Sequence, residues 1–193
     1  MPKTGMEPVR RAGLVDAAIM EIGRIGSLEV TVGQIAKRAG VSSALAHHYF
    51  GTKDQIFLSA MRHILSLYGE EVRKRLANAD THRARLEGII EASFDESNFR
   101  PEVISAWLNF YVRAQNSDET ARILGVYKSR LRSNLLCDLR PLLGPGANAA
   151  AEGIAALIDG LYVRQSLGHS GPSPSDATRI ALDYLDLLLA RTD

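Results

Sequence analysis

Helical periodicity runs through almost the whole chain, and it constrains the fold more than any other feature. Apolar residues recur three and four positions apart, as Leu14, Ala18 and Ile22 do, which places them on one stripe of a helix. No β-branched segment alternates over six positions, and no Asn-Gly dipeptide marks a hairpin. The sequence therefore predicts an all-α fold.

Glycine, proline and capping residues divide this pattern into about nine helices. Residues 31–34 and 52–55 both carry the capping-box pattern, a threonine followed three positions later by glutamine. The predicted helices cover residues 8–25, 32–39, 43–49, 53 to about 79, 82–98, 102–115, 119–142, 148–168 and 175–190. Residues 168–174 are predicted to form a loop because they contain two glycines and two prolines.

The composition favours a protein of the reducing cytoplasm. Its 193 residues suggest one or two domains, and the single cysteine, Cys137, excludes an intramolecular disulfide. The first eight residues lack the apolar core of a secretion signal, and no apolar run approaches the length of about 20 residues that spans a membrane. We therefore expect a cytoplasmic protein with no membrane partner.

The net charge of +1 hides two regions of opposite sign. Residues 1–53 contain seven basic and four acidic side chains, a net charge of +3, whereas residues 54–193 contain 16 basic and 18 acidic ones, a net charge of −2. A locally basic region suits nucleic acid even when the whole chain is nearly neutral. We place a functional boundary here, between a domain of residues 1–53 and a domain of residues 54–193.

Residues 31–50 have the pattern of a helix-turn-helix. Two short amphipathic helices meet at Gly40, which permits a sharp turn. The outward positions of the second helix carry small polar side chains, which suit insertion into the major groove of DNA. The outward residues are Ser43, Ala44, His47 and His48. A simple helical hairpin with a polar outer face has the same pattern, so the spacing alone leaves both interpretations open.

A resemblance favours the DNA-binding interpretation. The stretches TVGQIAKRAGVS and HYFGTKDQIF, which lie within a span of about 30 residues, resemble the DNA-binding signature of the TetR family of bacterial repressors. The resemblance implies a three-helix DNA-binding unit, a C-terminal helical bundle for ligand binding and dimerisation, and double-stranded operator DNA as partner. The DNA-contacting residues implied by it are Thr31, Ser42, Ser43, Ala44, His47, His48, Tyr49 and Lys53. Glycine and tyrosine are frequent in the family at positions 44 and 47, so base preference stays open.

Aromatic and acidic side chains are concentrated in the middle of the chain. Five of the 12 aromatic residues lie within residues 94–111, and five acids lie within residues 86–112. Three of these acids, Glu87, Glu91 and Asp95, recur every four residues and are predicted to share one helical face. Such stripes most often form a core and a solvated face. They would also suit a pocket for an organic cation, because aromatic faces attract a quaternary ammonium group that offers no N–H donor.

A second resemblance identifies a ligand class. The motifs FDES at 94–97, AWLNFY at 106–111 and AALIDGLYVR at 155–164 are similar to the choline-responsive branch of the TetR family, which represses glycine betaine synthesis genes in osmoregulation. The resemblance implies choline as effector and leaves open whether choline releases DNA or acts on the bound complex. The candidate aromatic walls are Phe94, Trp107, Phe110, Tyr111 and Tyr162, and the candidate counter-charges are Asp95 and Asp159.

The remaining predictions concern assembly and chemistry. Leucine- and isoleucine-rich stripes over residues 148–168 and 175–190 favour a homodimer built from a four-helix interface.

We find no catalytic constellation, and we therefore expect no enzyme activity and no cofactor. We also expect no metal site, because adjacent His47 and His48 point about 100° apart on a helix. The alternatives are a TetR-type repressor for a different small molecule, and a helical binding module that does not bind DNA.

Overall fold

The computed structural model describes residues 6–167 and 171–190, and those residues contain nine α-helices and one short 3-10 turn. The helices are α1 (Met6–Ile25), α2 (Val32–Arg38), α3 (Ser43–Phe50), α4 (Lys53–Ala77), α5 (His82–Ser93), α6 (Pro101–Ala114), α7 (Asp118–Leu143), α8 (Ala147–Leu167) and α9 (Pro174–Leu189). The 3-10 turn, Gly144–Gly146, joins α7 to α8. The predicted all-α fold is confirmed, while residues 168–170 of the predicted loop lie outside the described part.

One predicted helix is too long. The periodicity predicted a helix over residues 82–98, but α5 ends at Ser93. A turn replaces the last five positions, because the backbone N–H groups of Asn98 and Phe99 both donate to the carbonyl of Asp95 at 2.9 Å. The side chain of Asn98 also donates to the carbonyl of Ala92 at 3.1 Å. The sequence predicted that Asp95 continues the acidic stripe of α5. This prediction is wrong, because α5 ends before Asp95.

The chain forms two compact units. Unit 1 contains Met1–Leu65 and Pro101–Thr120, and unit 2 contains Ser66–Arg100 and Ala121–Asp193. The division falls inside α4 and near the start of α7, and so differs from the functional boundary at residue 53 that the sequence predicts. That boundary remains a prediction about which residues contact DNA. No helix in the described ranges, 6–167 and 171–190, is long and apolar enough to cross a membrane.

Unit 1 is held together by the packing of α1 against α2 and α6, and of α2 against α3. Gly23 permits the closest approach, since a Cβ added there would lie 2.4 Å from the Cα of Glu102 on α6. Glu21, only 5 % exposed, pairs with Arg24 on its own helix at 2.7 Å and links α1 to α2 through its contact with Arg38 at 2.5 Å. Hydrogen bonds from both arginines lower the pKa of the Glu21 carboxyl.

Unit 2 is built around α5, α8 and α9. Gly153 on α8 permits close packing of Tyr184 on α9, whose hydroxyl would lie 2.3 Å from an added Cβ. Arg83 of α5 pairs with Asp186 of α9 at 2.6 Å. The buried carboxylate of Asp138 on α7 accepts hydrogen bonds from His82 and Arg85 at 2.9 Å. These polar contacts fix the packing of α5 onto its neighbours.

Candidate functional sites

The outer surface of α3 has the composition that the sequence predicts for a recognition helix. Ser43, Ala44, His47 and His48, which we call the α3 outer face, are all exposed. Ala46 and Tyr49 lie on the opposite side and are buried in unit 1. The helix therefore presents only small or polar side chains outward, and a major groove can admit it without steric conflict.

Both short helices begin with a hydroxyl cap. The hydroxyl oxygen of Thr31 accepts from the backbone N–H of Gln34 at 3.2 Å, and the side-chain oxygen of Gln34 accepts from the N–H of Thr31 at 2.8 Å. Ser42 caps α3 in the same way by accepting from the N–H of Leu45 at 3.2 Å. These caps confirm the predicted helix starts, and they leave other first-turn N–H groups able to bind a phosphate.

His47 has a defined ring orientation. Its Nδ1 lies 2.9 Å from the carbonyl oxygen of Gly51, so Nδ1 carries the proton and donates. In the neutral ring, Nε2 is then an acceptor.

Lys53 and Tyr49 contribute in different ways. Lys53 is exposed at the first position of α4, and its ammonium donates to the carbonyl of Leu28 at 3.1 Å. Two further N–H donors of that group can serve a phosphate. Tyr49 is only 9 % exposed, and Arg11 both donates to its carbonyl and lies over the rings of Tyr49 and Phe50. The ring of Tyr49 supports α3 from inside. A contact of Tyr49 with DNA stays a prediction, and it would involve only the exposed edge of the side chain.

Unit 2 contains a group of buried and half-buried aromatic rings, which we call the aromatic cluster. The ring of Phe94 lies 5.4 Å from that of Phe99 and 6.1 Å from that of Tyr162, and Phe99 lies 5.4 Å from Tyr162. The ring of Tyr68 packs edge-on against Tyr127 at 5.7 Å. Of these five residues, the sequence predicted only Phe94 and Tyr162 as site residues.

The two groups of rings in the aromatic cluster are linked through Ser93. The Tyr162 hydroxyl donates to the Ser93 carbonyl at 2.5 Å, and the Tyr68 hydroxyl lies 3.4 Å from the Ser93 hydroxyl. Burial raises the pKa of Tyr68 to about 12 and also raises the pKa of Tyr162. Both phenols are therefore neutral at physiological pH, and the cluster offers uncharged ring faces.

The other predicted aromatic walls lie in unit 1. Trp107, Phe110 and Tyr111 share one face of α6, and the ring of Trp107 lies 5.9 Å from Phe110 and 5.7 Å from Tyr111. Phe110 is fully buried and contacts Phe57 of α4 at 6.1 Å. The structure thus brings the predicted walls together in two groups, one in each unit.

The two candidate counter-charges have different surroundings. Asp95 accepts from the Ser97 hydroxyl at 2.6 Å and the Ser97 N–H at 3.0 Å, and it lies 3.5 Å from Arg75. The Ser97 hydrogen bonds are the main cause of its lowered pKa. Asp95 therefore caps the turn after α5. Asp159 is half-buried on α8, and its negative charge contributes to the raised pKa of Tyr162 one turn later.

The structure adds site candidates that the sequence did not supply. Tyr68, Phe99 and Tyr127 belong to three different helices or turns, and only the fold brings them near Tyr162. Across the described ranges, no three His, Cys, Asp or Glu side chains meet in a group that could hold a metal ion. His47 instead hydrogen-bonds the chain at Gly51.

Family models match both parts of the chain. Residues 14–60 match the model described as bacterial regulatory proteins of the tetR family, and residues 82–190 match the model described as the C-terminal domain of BetI-type transcriptional repressors. The HTH-type transcriptional regulator BetI of Brucella anthropi is 49 % identical over 190 residues, which cover 98 % of each chain. The BetI regulator of Agrobacterium fabrum is also 49 % identical, over 98 % of this chain and 92 % of its own.

Solved structures share the same fold. A transcriptional regulator from Rhodococcus superposes with a TM-score of 0.82 at 24 % identity, covering 93 % of this chain and 96 % of its own. A regulator from Saccharomonospora viridis, solved in complex with choline, has a TM-score of 0.81 at 23 % identity and covers 91 % and 95 %. Taken with the helix-turn-helix geometry, the family matches show a transcriptional regulator and not an enzyme. The chain belongs to the TetR family of DNA-binding repressors and carries a BetI-type C-terminal domain.

Proposed function

We propose that the protein is a homodimeric repressor that binds operator DNA through the α3 outer face, responds to choline and controls genes that convert choline to glycine betaine. It acts in the cytoplasm, where the operator is accessible. The observation that carries the choline assignment is the buried aromatic cluster of unit 2, within a domain of the BetI type.

The α3 outer face supports operator recognition. Ser43 and His47 supply hydrogen-bonding groups to base edges, while Thr31, Ser42 and Lys53 lie at helix starts, where phosphates bind. Residues 1–53 carry a net charge of only +3, so random DNA should bind weakly. Specific binding would then depend on two copies that act on a palindromic site.

The aromatic cluster supports recognition of a quaternary ammonium group. Choline carries a permanent charge without an N–H donor, so ring faces bind its trimethylammonium group better than hydrogen-bond acceptors do. The phenols are neutral and their hydroxyls are engaged by Ser93, which holds the rings in place. A structural neighbour from Saccharomonospora viridis was solved with choline, which is consistent with this ligand class.

Exposed apolar side chains on α8 and α9 support a dimer. Part of each predicted stripe packs inside unit 2, where Ile154, Ile158 and Leu185 are buried. Other residues remain outward: Leu167 is 80 % and Leu187 65 % exposed. Ile180 lies seven positions before Leu187, on the same side of α9, and is also exposed. A second copy of the chain would cover these residues.

Fluorescence anisotropy with labelled DNA from upstream of the protein's own gene tests the proposal. We expect tight, salt-dependent binding that random DNA does not match, and a change in that binding when choline is added. Calorimetry should show choline binding to the protein without DNA. Equal affinity for random DNA would contradict the repressor function, whereas operator binding with no response to choline would contradict only the choline assignment.

A further inference from the structure

The two ends of α3 are held in different ways. With eight residues α3 is too short to be stable alone, and within it only Ala46 and Tyr49 are buried. Its first turn is capped locally, by the hydroxyl of Ser42. The carbonyl groups of its last turn need partners from outside the helix.

Those partners come from two parts of the chain. The N–H of Thr52, just after the helix, donates to the carbonyl of Phe50 at 2.9 Å. The guanidinium of Arg11 donates to the carbonyl of Tyr49 from α1, 38 positions earlier in the chain. One side chain of α1 therefore ties the last turn of α3 to a different helix.

Arg11 also covers the two aromatic residues that end α3. Its guanidinium carbon lies 5.1 Å from the centre of the Phe50 ring and 6.0 Å from that of the Tyr49 ring. A ring face attracts a cation, and a positive charge near a helix C-terminus interacts favourably with the helix dipole. The hydrogen bond and the ring contacts together fix where this end of α3 lies on α1.

The surroundings of Arg11 favour such a supporting role over a direct bond to DNA. Its Nε lies 3.8 Å from the carboxylate of Glu7, one turn earlier on α1, and this carboxylate offsets part of the charge. Arg10 is exposed as well, and it points about 100° away from Arg11 around the helix. The two arginines carry the same charge, and it is Arg11 whose contacts reach the end of α3.

We propose that Arg11 is a positioning residue for operator recognition, which holds the C-terminal end of α3 so that the α3 outer face meets base edges in one orientation. His47 lies two residues before Tyr49, and Ser43 one turn further back, so a tilt of this end displaces both. This role rests on the proposed function, since it requires α3 to enter the major groove. A loosened α3 would still follow the phosphates of any duplex, so Arg11 should matter for specific binding more than for random binding.

Anisotropy titrations of the full chain with two labelled duplexes test this role, one duplex from upstream of the protein's own gene and one of random sequence. We expect Arg11→Ala to weaken binding to the upstream duplex by about tenfold, as the loss of a good base contact would. Binding to the random duplex should weaken by only about twofold, through the lost charge. Arg10→Ala is the matched control, since it removes the same charge from the adjacent position, and it should weaken both duplexes by about twofold.

Arg11→Lys separates geometry from charge. Lysine keeps the charge, but it lacks the planar fork that can donate to a carbonyl while lying over two rings. We expect binding to the upstream duplex to weaken by about fivefold, with the random duplex unaffected and the same dependence of affinity on salt concentration. Wild-type affinity in Arg11→Lys would contradict the positioning role.

Hydrogen exchange of the protein without DNA detects the loosening of α3 directly. In both Arg11 variants the amides of α3 should exchange about fivefold faster or more, while those of α5 in unit 2 keep their wild-type rates. Wild-type exchange in α5 shows that a variant is folded. If Arg11→Ala does not fold, the exchange and the affinities of Arg11→Lys decide.

The outcomes separate this role from the proposed function. If the wild-type protein prefers the upstream duplex and Arg11→Ala weakens that binding no more than Arg10→Ala does, Arg11 acts through its charge alone. The positioning role is then wrong and the repressor function stands. The role is also wrong if α3 exchanges at the wild-type rate in both Arg11 variants. If the wild-type protein binds the two duplexes equally, the repressor function itself is wrong, and the role of Arg11 in recognition is wrong with it.

Discussion

The α3 outer face and the aromatic cluster are built on opposite principles. The α3 outer face consists of four exposed side chains within six consecutive residues, and its helix is defined by caps that lie a few positions away. The aromatic cluster consists of rings from four buried residues, 94, 99, 127 and 162, and from the half-buried Tyr68, most of which lie far apart in the sequence. The proposed DNA-reading surface is therefore local, whereas the proposed binding site for a small cation depends on residues from across unit 2.

The difference predicts that the two regions can be damaged separately. Substitutions in the packing or caps of unit 1 should alter DNA binding and leave cation binding in unit 2 nearly unchanged, and the reverse should hold for the aromatic cluster. Four substitutions test the contacts that build the two units, beginning with the one that should have the largest effect on stability.

Gly23→Ala should destabilise unit 1 by about 3 kcal/mol, because the added Cβ would lie 2.4 Å from the backbone of Glu102 and α1 would have to move away from α6. Gly13→Ala is the matched control on the same helix, since a Cβ there meets nothing within 4 Å. We expect Gly13→Ala to be neutral or slightly stabilising. Thermal denaturation of both variants measures the difference, and equal stability would contradict the close packing of α1 and α6.

Glu21→Gln should lower the free energy of unfolding by about 2 kcal/mol at neutral pH, because the buried carboxylate loses its charged bonds to Arg24 and Arg38. The pKa of Glu21 is lowered in the folded protein, so its contribution is present above the pKa of the unfolded state. That contribution is lost as the pH falls through the folded pKa. Urea unfolding between pH 7 and pH 3 should show a smaller acid loss in the variant, and parallel pH profiles would refute the prediction.

Tyr162→Phe should cost about 1–2 kcal/mol, since the buried carbonyl of Ser93 loses its donor. The ring remains, so choline affinity should change by less than about threefold. Tyr162→Ala removes the ring face too and should weaken choline much further. Calorimetry on both variants measures this contrast, and a similar loss in the two would mean that the hydroxyl, and not the ring, binds the ligand.

Thr31→Ala should cost about 1 kcal/mol through loss of the N-cap of α2 and should also weaken operator binding. Thr81→Ala removes the equivalent cap of α5 in unit 2, where the hydroxyl accepts from the N–H of Ala84 at 3.1 Å. We expect a similar loss of stability with operator affinity unchanged. If both substitutions weaken DNA binding equally, the effect comes from stability and not from a contact of Thr31 with phosphate.

The sequence predicts the α3 outer face and its caps better than it predicts the aromatic cluster. Thr31, Ser42 and Gly40 act within a few residues of themselves, so their caps and the turn could be predicted from spacing. Tyr68, Phe99 and Tyr127 could not be assigned to a site, because the ring contacts Tyr68–Tyr127 and Phe99–Tyr162 each join residues about 60 positions apart. Phe94 and Tyr162 entered only through a family resemblance.

Asp95 shows how a local prediction fails. The four-residue spacing of Glu87, Glu91 and Asp95 predicted one helical face, but the helix ends at Ser93 and Asp95 instead accepts hydrogen bonds from Ser97. An aspartate two residues before a serine also favours a turn, and here the turn is the more stable choice. The four-residue periodicity alone does not distinguish a continued helical face from a turn at Asp95.

The most direct test of the account measures both functions on one variant. Ser43→Ala/His47→Ala changes two exposed residues of the α3 outer face and leaves the Ser42 cap and the buried face intact. Anisotropy with operator DNA should show specific affinity reduced at least tenfold, toward that for random DNA, while calorimetry shows choline affinity within twofold of the wild-type value. Operator affinity equal to that of the wild type would contradict recognition by α3, and a matching loss of choline binding would contradict the separation of the two sites.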